Sequence, residues 1–143
     1  MRRAAKSQSG VMLIEALIGI LIFSIGILAL IGMQATAVKN TTDGRYRIEA
    51  ALLANQVIGQ MWVDQANLAK YDKDDGSNYG PRNSWRDNVA RMLPGIDVAA
   101  NTLVPTIDFD PTINEVTVII QWKAPGTADV HRFQMINRIN GAT

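Results

Sequence analysis

The 23 residues from Ala16 to Val38 carry no charge, and they constrain this 143-residue chain more than any other feature. As a helix they reach about 34 Å at 1.5 Å per residue, against about 30 Å of hydrocarbon in a bilayer. The run is long enough to cross, although Gly19, Gly26 and Gly32 lower its intrinsic helicity. Arg2, Arg3 and Lys6 precede it. Cations flanking a first helix hold that flank on the cytoplasmic side, so a single-pass chain is expected, N-terminus in, with everything after about Gln34 on the far side of the membrane.

One acid, Glu15, sits at the mouth of this run, directly after Ser9-Gly10-Val11-Met12-Leu13-Ile14. A carboxylate at the centre of a membrane helix costs about 2.5 kcal/mol or more and less near an end, so such residues usually have a partner and a task. At headgroup depth it would simply be solvated.

The order of basic leader, glycine, apolar residues, acid and long apolar helix resembles the N-terminus of the type IV pilin family, where Phe-Thr-Leu-Ile-Glu typically follows the glycine. Gly10 matches the last leader residue, Val11 the first mature residue, Leu13 and Ile14 the apolar pair, and Glu15 the fifth mature residue. Val11 stands where Phe is usual and Met12 where Thr is usual. The resemblance implies a leader over 1–10, cut between Gly10 and Val11 by a prepilin peptidase, with N-methylation of Val11. It implies a transmembrane spine helix over 11–38 and an extracytoplasmic head over 39–143, and it gives Glu15 a role in assembly. A rival cleavage follows the small-x-small triplet Ala35-Thr36-Ala37, but ordinary signal peptides have apolar regions of only about 7–15 residues.

Without the lipid segment about a hundred residues remain, enough for one modest core. The net charge is +1, and removal of residues 1–10 takes away three of fourteen cations, leaving −2 against thirteen acids. A nucleic-acid partner would call for a strongly basic face. The absence of cysteine excludes disulfides, thiolate metal sites and cysteine nucleophiles.

Tyr46, Ala50, Leu53, Val57, Met61 and Leu68 recur at steps of three, four and seven, with Ile58 and Trp62 widening the stripe. The pattern predicts one helix to about Tyr71, with a kink or break favoured at Asn40-Thr41-Thr42-Asp43-Gly44. Tyr71 to Asn83 reads as a solvated polar loop. Its Asp72-Lys73-Asp74-Asp75-Gly76 invites a calcium site, but the ligand spacing fails: aligning Gly76 with the glycine of an EF-hand loop puts Tyr71 and Lys73 at ligand positions and Arg82 where a bidentate Glu is required.

Ser84-Trp85-Arg86-Asp87 reads as a capping-box-like helix start, with Trp85, Val89, Met92 and Leu93 on one face and Pro94-Gly95 as the stop. The helix ending in Arg91-Met92-Leu93-Pro94-Gly95, and Leu53-Ala54-Asn55-Gln56 before it, are similar to segments of minor pilins of the PilV type. Val116, Val118, Ile120 and Trp122 alternate with Thr117, Ile119, Gln121 and Lys123 as a half-buried strand. Ala124-Pro125-Gly126-Thr127 turns the chain, and Val130 to Ile139 returns antiparallel. Residues 96–109 supply one or two further strands, with Pro105 at an edge or strand end. Trp62 and Trp122 are both expected to be buried where helix and sheet face each other. The expected fold class is therefore α+β, a long N-terminal spine helix packed on a small antiparallel sheet.

Chemistry finds little support. His131, the one histidine, lies mid-strand with neither a cysteine nor a nucleophile-elbow serine to join it, and Asp108 and Asp110 share a strand face as exposed acids commonly do. No cofactor or metal is expected. The pilin resemblance implies a non-enzymatic minor pilin that primes type IV pilus assembly in the inner membrane and takes a place at the pilus tip, in support of twitching motility or adhesion. Its partners would be the prepilin peptidase, other minor pilins, the major pilin, the inner-membrane assembly platform and membrane lipid, with no nucleic acid. The same signal serves minor pseudopilins of type II secretion, and conventional cleavage would leave an exported periplasmic binding protein.

Overall fold

The computed structural model describes residues 9–139, so the leader cations Arg2, Arg3 and Lys6 lie outside the described residues. The elements are helix α1 (Ser9–Val63), a 3-10 segment (Gln65–Tyr71), helix α2 (Gly80–Met92) and strands β1 (Thr106–Asp110), β2 (Glu115–Trp122) and β3 (His131–Arg138). The described residues divide into two compact units, one ending at Thr42 and the other beginning at Asp43.

The first unit is the apolar half of α1. Its hydroxyl side chains donate to the carbonyl four residues back: Ser24 to Ile20 at 2.7 Å, Thr36 to Gly32 at 3.1 Å, and Thr41 and Thr42 to Ala37 and Val38 at 2.9 Å. Each hydroxyl therefore has a partner that does not require water. Helical hydrogen bonding continues through Asn40–Gly44, where the sequence favoured a kink or break.

The second unit is an α+β head. Ala50, Leu53, Ala54, Val57, Ile58 and Met61 form the buried stripe of α1, about 140° wide at 100° per residue, as broad as a core-facing helix requires. The expected stripe holds at Ala50, Leu53, Val57, Ile58 and Met61, gains Ala54, has Tyr46 only half-buried, and fails at Trp62, which is 40% exposed. Neighbouring residues stand about 100° apart on a helix, and Met61 takes the inward position. The α-helix also stops earlier than Tyr71, at Val63. A 3-10 segment follows, broken at Asn67 (φ −120°, ψ 17°), which still delivers Leu68 and Tyr71 to the core.

Helix α2 begins at Gly80, ahead of the expected Ser84, because Pro81 occupies its first turn, where the missing N–H and fixed φ suit a helix start. Trp85 and Val89 are buried and the Trp85 indole N–H donates to the Leu53 carbonyl at 2.9 Å. Met92 points out, and Leu93, in an extended conformation, turns back into the core. Gly95 then lies at φ +80°, where a Cβ would come within 2.9 Å of the Lys123 Cβ, and the Lys123 N–H donates to the Pro94 carbonyl at 3.0 Å. The glycine both ends the helix and admits the end of β2 against it.

The sheet is antiparallel in the order β1-β2-β3. Pro105 ends where β1 begins, and its carbonyl accepts from Arg86 Nε at 3.2 Å. Strand β2 buries every second residue, Val116, Val118, Ile120 and Trp122, as its alternation predicts. Its register sets Trp122 opposite His131, whose ring stacks on the indole at 5.5 Å and 19°.

Candidate processing and assembly segment

Gly10, Val11 and Glu15 all lie on α1, the last two one helical turn apart. All three are exposed, Val11 at 67%. Nothing lies within 4 Å of where a Gly10 Cβ would stand, so packing places no demand on a glycine there. The large apolar side chains from Val11 to Met33 are exposed without exception. This helix is long and apolar enough to cross a membrane, its most apolar stretch having a mean hydropathy of 2.7 with none of it buried. The exposed side of α1 within the head is also partly apolar, through Ile48, Leu52, Trp62 and Val63, the last 90% exposed.

Two polar centres of the head went unnoticed in the sequence. The first is Asp64, just after α1. Its carboxylate accepts from Asn67 Nδ2 at 2.7 Å, from the Tyr71 hydroxyl at 3.2 Å and from the Tyr79 hydroxyl. These donors, Tyr79 first and Asn67 next, hold the Asp64 carboxyl below its usual range, while burial foremost pushes the Tyr71 phenol up. The acid in turn raises Tyr79. The two tyrosine rings meet edge to face at 5.0 Å.

The second is Arg82, the one charged residue among the buried side chains described, 4% exposed. Its Nη1 donates to the carbonyls of Asp72 at 2.6 Å and Asp75 at 3.0 Å, and its Nη2 to the Ser77 carbonyl. The loop of residues 72–79 thus closes around a guanidinium. The acids of this loop are also committed locally. Asp72 accepts from the N–H groups of Asp74 and Phe109, both at 2.7 Å, and Asp75 accepts from the Ser77 hydroxyl and lies 3.8 Å from Arg82. Lys73 pairs with Asp108, which foremost raises the lysine's pKa, and with Asp74 at 3.4 Å. The Asp108–Asp110 pair therefore gives one acid to an ion pair, while Asp110 accepts from the Thr112 N–H at 2.8 Å.

No signal of period 2 or 3.6 marks Asp64 or Arg82, because their partners are tyrosines and carbonyls scattered over fifteen residues. Pro81 beside Arg82 was the usable clue, since a helix starting there places Arg82 in its first turns, facing the preceding loop.

No protein-family model matches the chain, and no solved structure matches it. Among curated proteins it is similar to the SsrA-binding proteins of Bifidobacterium longum (strain DJO10A) and Bifidobacterium longum subsp. infantis. Each is 25% identical over 80 residues, which cover 52% of this chain and 51% of theirs. The chain spans about half the length of the curated relatives it matches.

Proposed function

We propose that the chain is a minor pilin, a non-enzymatic subunit that takes part in priming and assembling a type IV pilus. On this reading α1 anchors the precursor in the inner membrane with the head in the periplasm, and the subunit later takes its place at the pilus tip. The observation that carries the reading is the segment Gly10-Val11-Met12-Leu13-Ile14-Glu15 at the start of an apolar helix that the fold leaves uncovered from Val11 to Met33. A chain that exposes that much apolar surface needs lipid or other helices against it. The separately cored head, with its own helices and sheet, supports the same division of labour.

In this mechanism the prepilin peptidase cuts between Gly10 and Val11 on the cytoplasmic face. The new Val11 amine is then a cation, subject to N-methylation, and the Glu15 carboxylate pairs with the N-terminus of a neighbouring subunit as it enters the filament. In a low dielectric, pairing offsets much of the desolvation that an isolated carboxylate would bear.

Cleavage tests the reading. Gly10 is packed against nothing, so Gly10→Val should leave the head folded and block removal of the leader. Mass spectrometry of the membrane-bound parent should find a mature chain beginning at Val11. A mature chain beginning at Val38 would refute the reading in favour of conventional export.

A further inference from the structure

The two edges of the sheet are finished differently. Along β1, the Lys73 N–H donates to the Ile107 carbonyl at 2.7 Å and the Phe109 N–H donates to the Asp72 carboxylate at 2.7 Å. The loop gathered around Arg82 therefore seals that edge. Nothing among the described residues pairs with the outer edge of β3, which is eight residues long.

The direction of its free peptide groups follows from the register. Ile107 and Phe109 face away from β2, so Thr106, Asp108 and Asp110 are the β1 residues that exchange hydrogen bonds with Ile119, Thr117 and Glu115. The alternate residues of β2, Val116, Val118, Ile120 and Trp122, then bond to Asn137, Met135, Phe133 and His131. The Ile139 N–H to Asn114 carbonyl bond at 2.9 Å continues the same ladder. The peptide groups of Arg132, Gln134, Ile136 and Arg138 are left pointing to the open edge.

These four side chains are also the exposed ones, while Phe133 and Met135 on the inner face are only half-buried. Native sheets usually blunt an edge this long with charged side chains, a bulge, a proline or a cover, and of these β3 has, among the described residues, only charge. Here the strand carries two arginines and no acid, the nearest acid before it being Asp129. Arg132 has no ion pair among the described residues, and Arg138 reaches Glu115 only at 3.8 Å.

We infer that the outer edge of β3 is a docking edge for an extended acidic segment of another protein, which adds to the sheet as a fourth strand. A second copy of β3 fits less well. The twofold antiparallel register that uses all four free peptide groups sets Arg132 opposite Arg138 at both ends, and like charges directly opposite are destabilising. A segment with acids six residues apart meets both arginines on the outer face. Apolar residues at its alternate positions cover Phe133 and Met135 on the inner face. The inference does not depend on the pilin reading.

The test uses the full chain in detergent micelles and a fluorescein-labelled peptide of about nine residues, alternating valine and threonine with glutamates six apart. Its control carries lysines at those two positions. Fluorescence anisotropy should show the acidic peptide binding at least about tenfold tighter than the control. Hydrogen exchange should slow at the amides of Arg132, Gln134, Ile136 and Arg138 and not along β1. Arg132→Glu combined with Arg138→Glu should reverse the preference. The Gln134 N–H faces the open edge, so Gln134→Pro should abolish binding while leaving the sheet paired; should that variant unfold, the charge reversal still decides. Equal affinity for the two peptides, no binding up to about 1 mM, or protection along β1 would overturn the inference. So would a dimer of the protein alone that Gln134→Pro dissociates, since a second copy would then be the occupant.

Discussion

Replacing Arg82 with methionine keeps most of the buried length of the side chain and removes its donors, so it isolates what the guanidinium does for the loop around it. Three carbonyls, of Asp72, Asp75 and Ser77, lose a charged donor at once. A hydrogen bond to a charged group contributes about 1.5–3 kcal/mol, which gives about 4.5–9 kcal/mol as an upper bound for three. The loop lies at the surface, and water can reach the carbonyls once it opens. The expected loss is therefore about 2–4 kcal/mol, within the lower range found when one partner of a buried charged contact is removed. Urea unfolding followed by the fluorescence of buried Trp85 and Trp122 measures it, alongside amide exchange at Lys73 and Phe109, whose N–H groups seal β1. Those two amides should exchange faster even where the rest of the sheet does not. Arg82→Lys should recover only part of the loss, because one ammonium cannot reproduce a two-pronged fork. A loss below about 0.5 kcal/mol with unchanged protection at both amides would refute the argument that Arg82 organises this loop.

Three further outcomes are expected. Gly95→Ala should cost about 1–3 kcal/mol in the same urea assay, since it meets both a positive φ and the Lys123 Cβ at 2.9 Å. Asp64 is held below its usual 3.8 in the folded head, so its contribution is complete above the unfolded pKa and is lost as pH falls through the lower folded one; acid unfolding should be less steep below about pH 4 in Asp64→Asn. On the proposed pilin reading, Glu15→Val should leave insertion, cleavage and head folding intact while reducing co-purification with partner pilins and surface piliation. Wild-type piliation in that variant would demote Glu15 to a solvated residue at headgroup depth.

How much of this was readable beforehand depended on whether a residue acts through periodicity. Val116, Val118, Ile120 and Trp122 alternate strictly, and the structure buries all four. The α1 stripe was equally plain and its spacing included Met61, yet hydrophobicity also widened it to Trp62, which the helix phase set by Val57 and Ile58 turns outward. The start of α2 was misread because Ser84 resembles a cap, whereas Pro81 dominates the local geometry. Arg82 entered the sequence reading only as a misfit to a calcium ligand and Asp64 not at all, as residues that act through carbonyls and hydroxyls up to fifteen positions away leave no pattern in hydropathy. Gly10, Val11 and Glu15 present the converse case: their meaning rested on the order of residues, and the fold places them on one exposed helix.

The loop between the 3-10 segment and α2 has the ingredients of a calcium site, clustered carboxylates and inward-turned carbonyls. The EF-hand alignment that fails on spacing puts Arg82 in the place of the closing glutamate. That position supplies the positive charge itself, tethered to the polypeptide. Its occupancy is therefore set when the chain is synthesised and does not rise or fall by mass action with ions in the surroundings. A metal-centred loop would loosen wherever the free ion ran short, whereas the guanidinium that gathers these carbonyls is part of the chain itself.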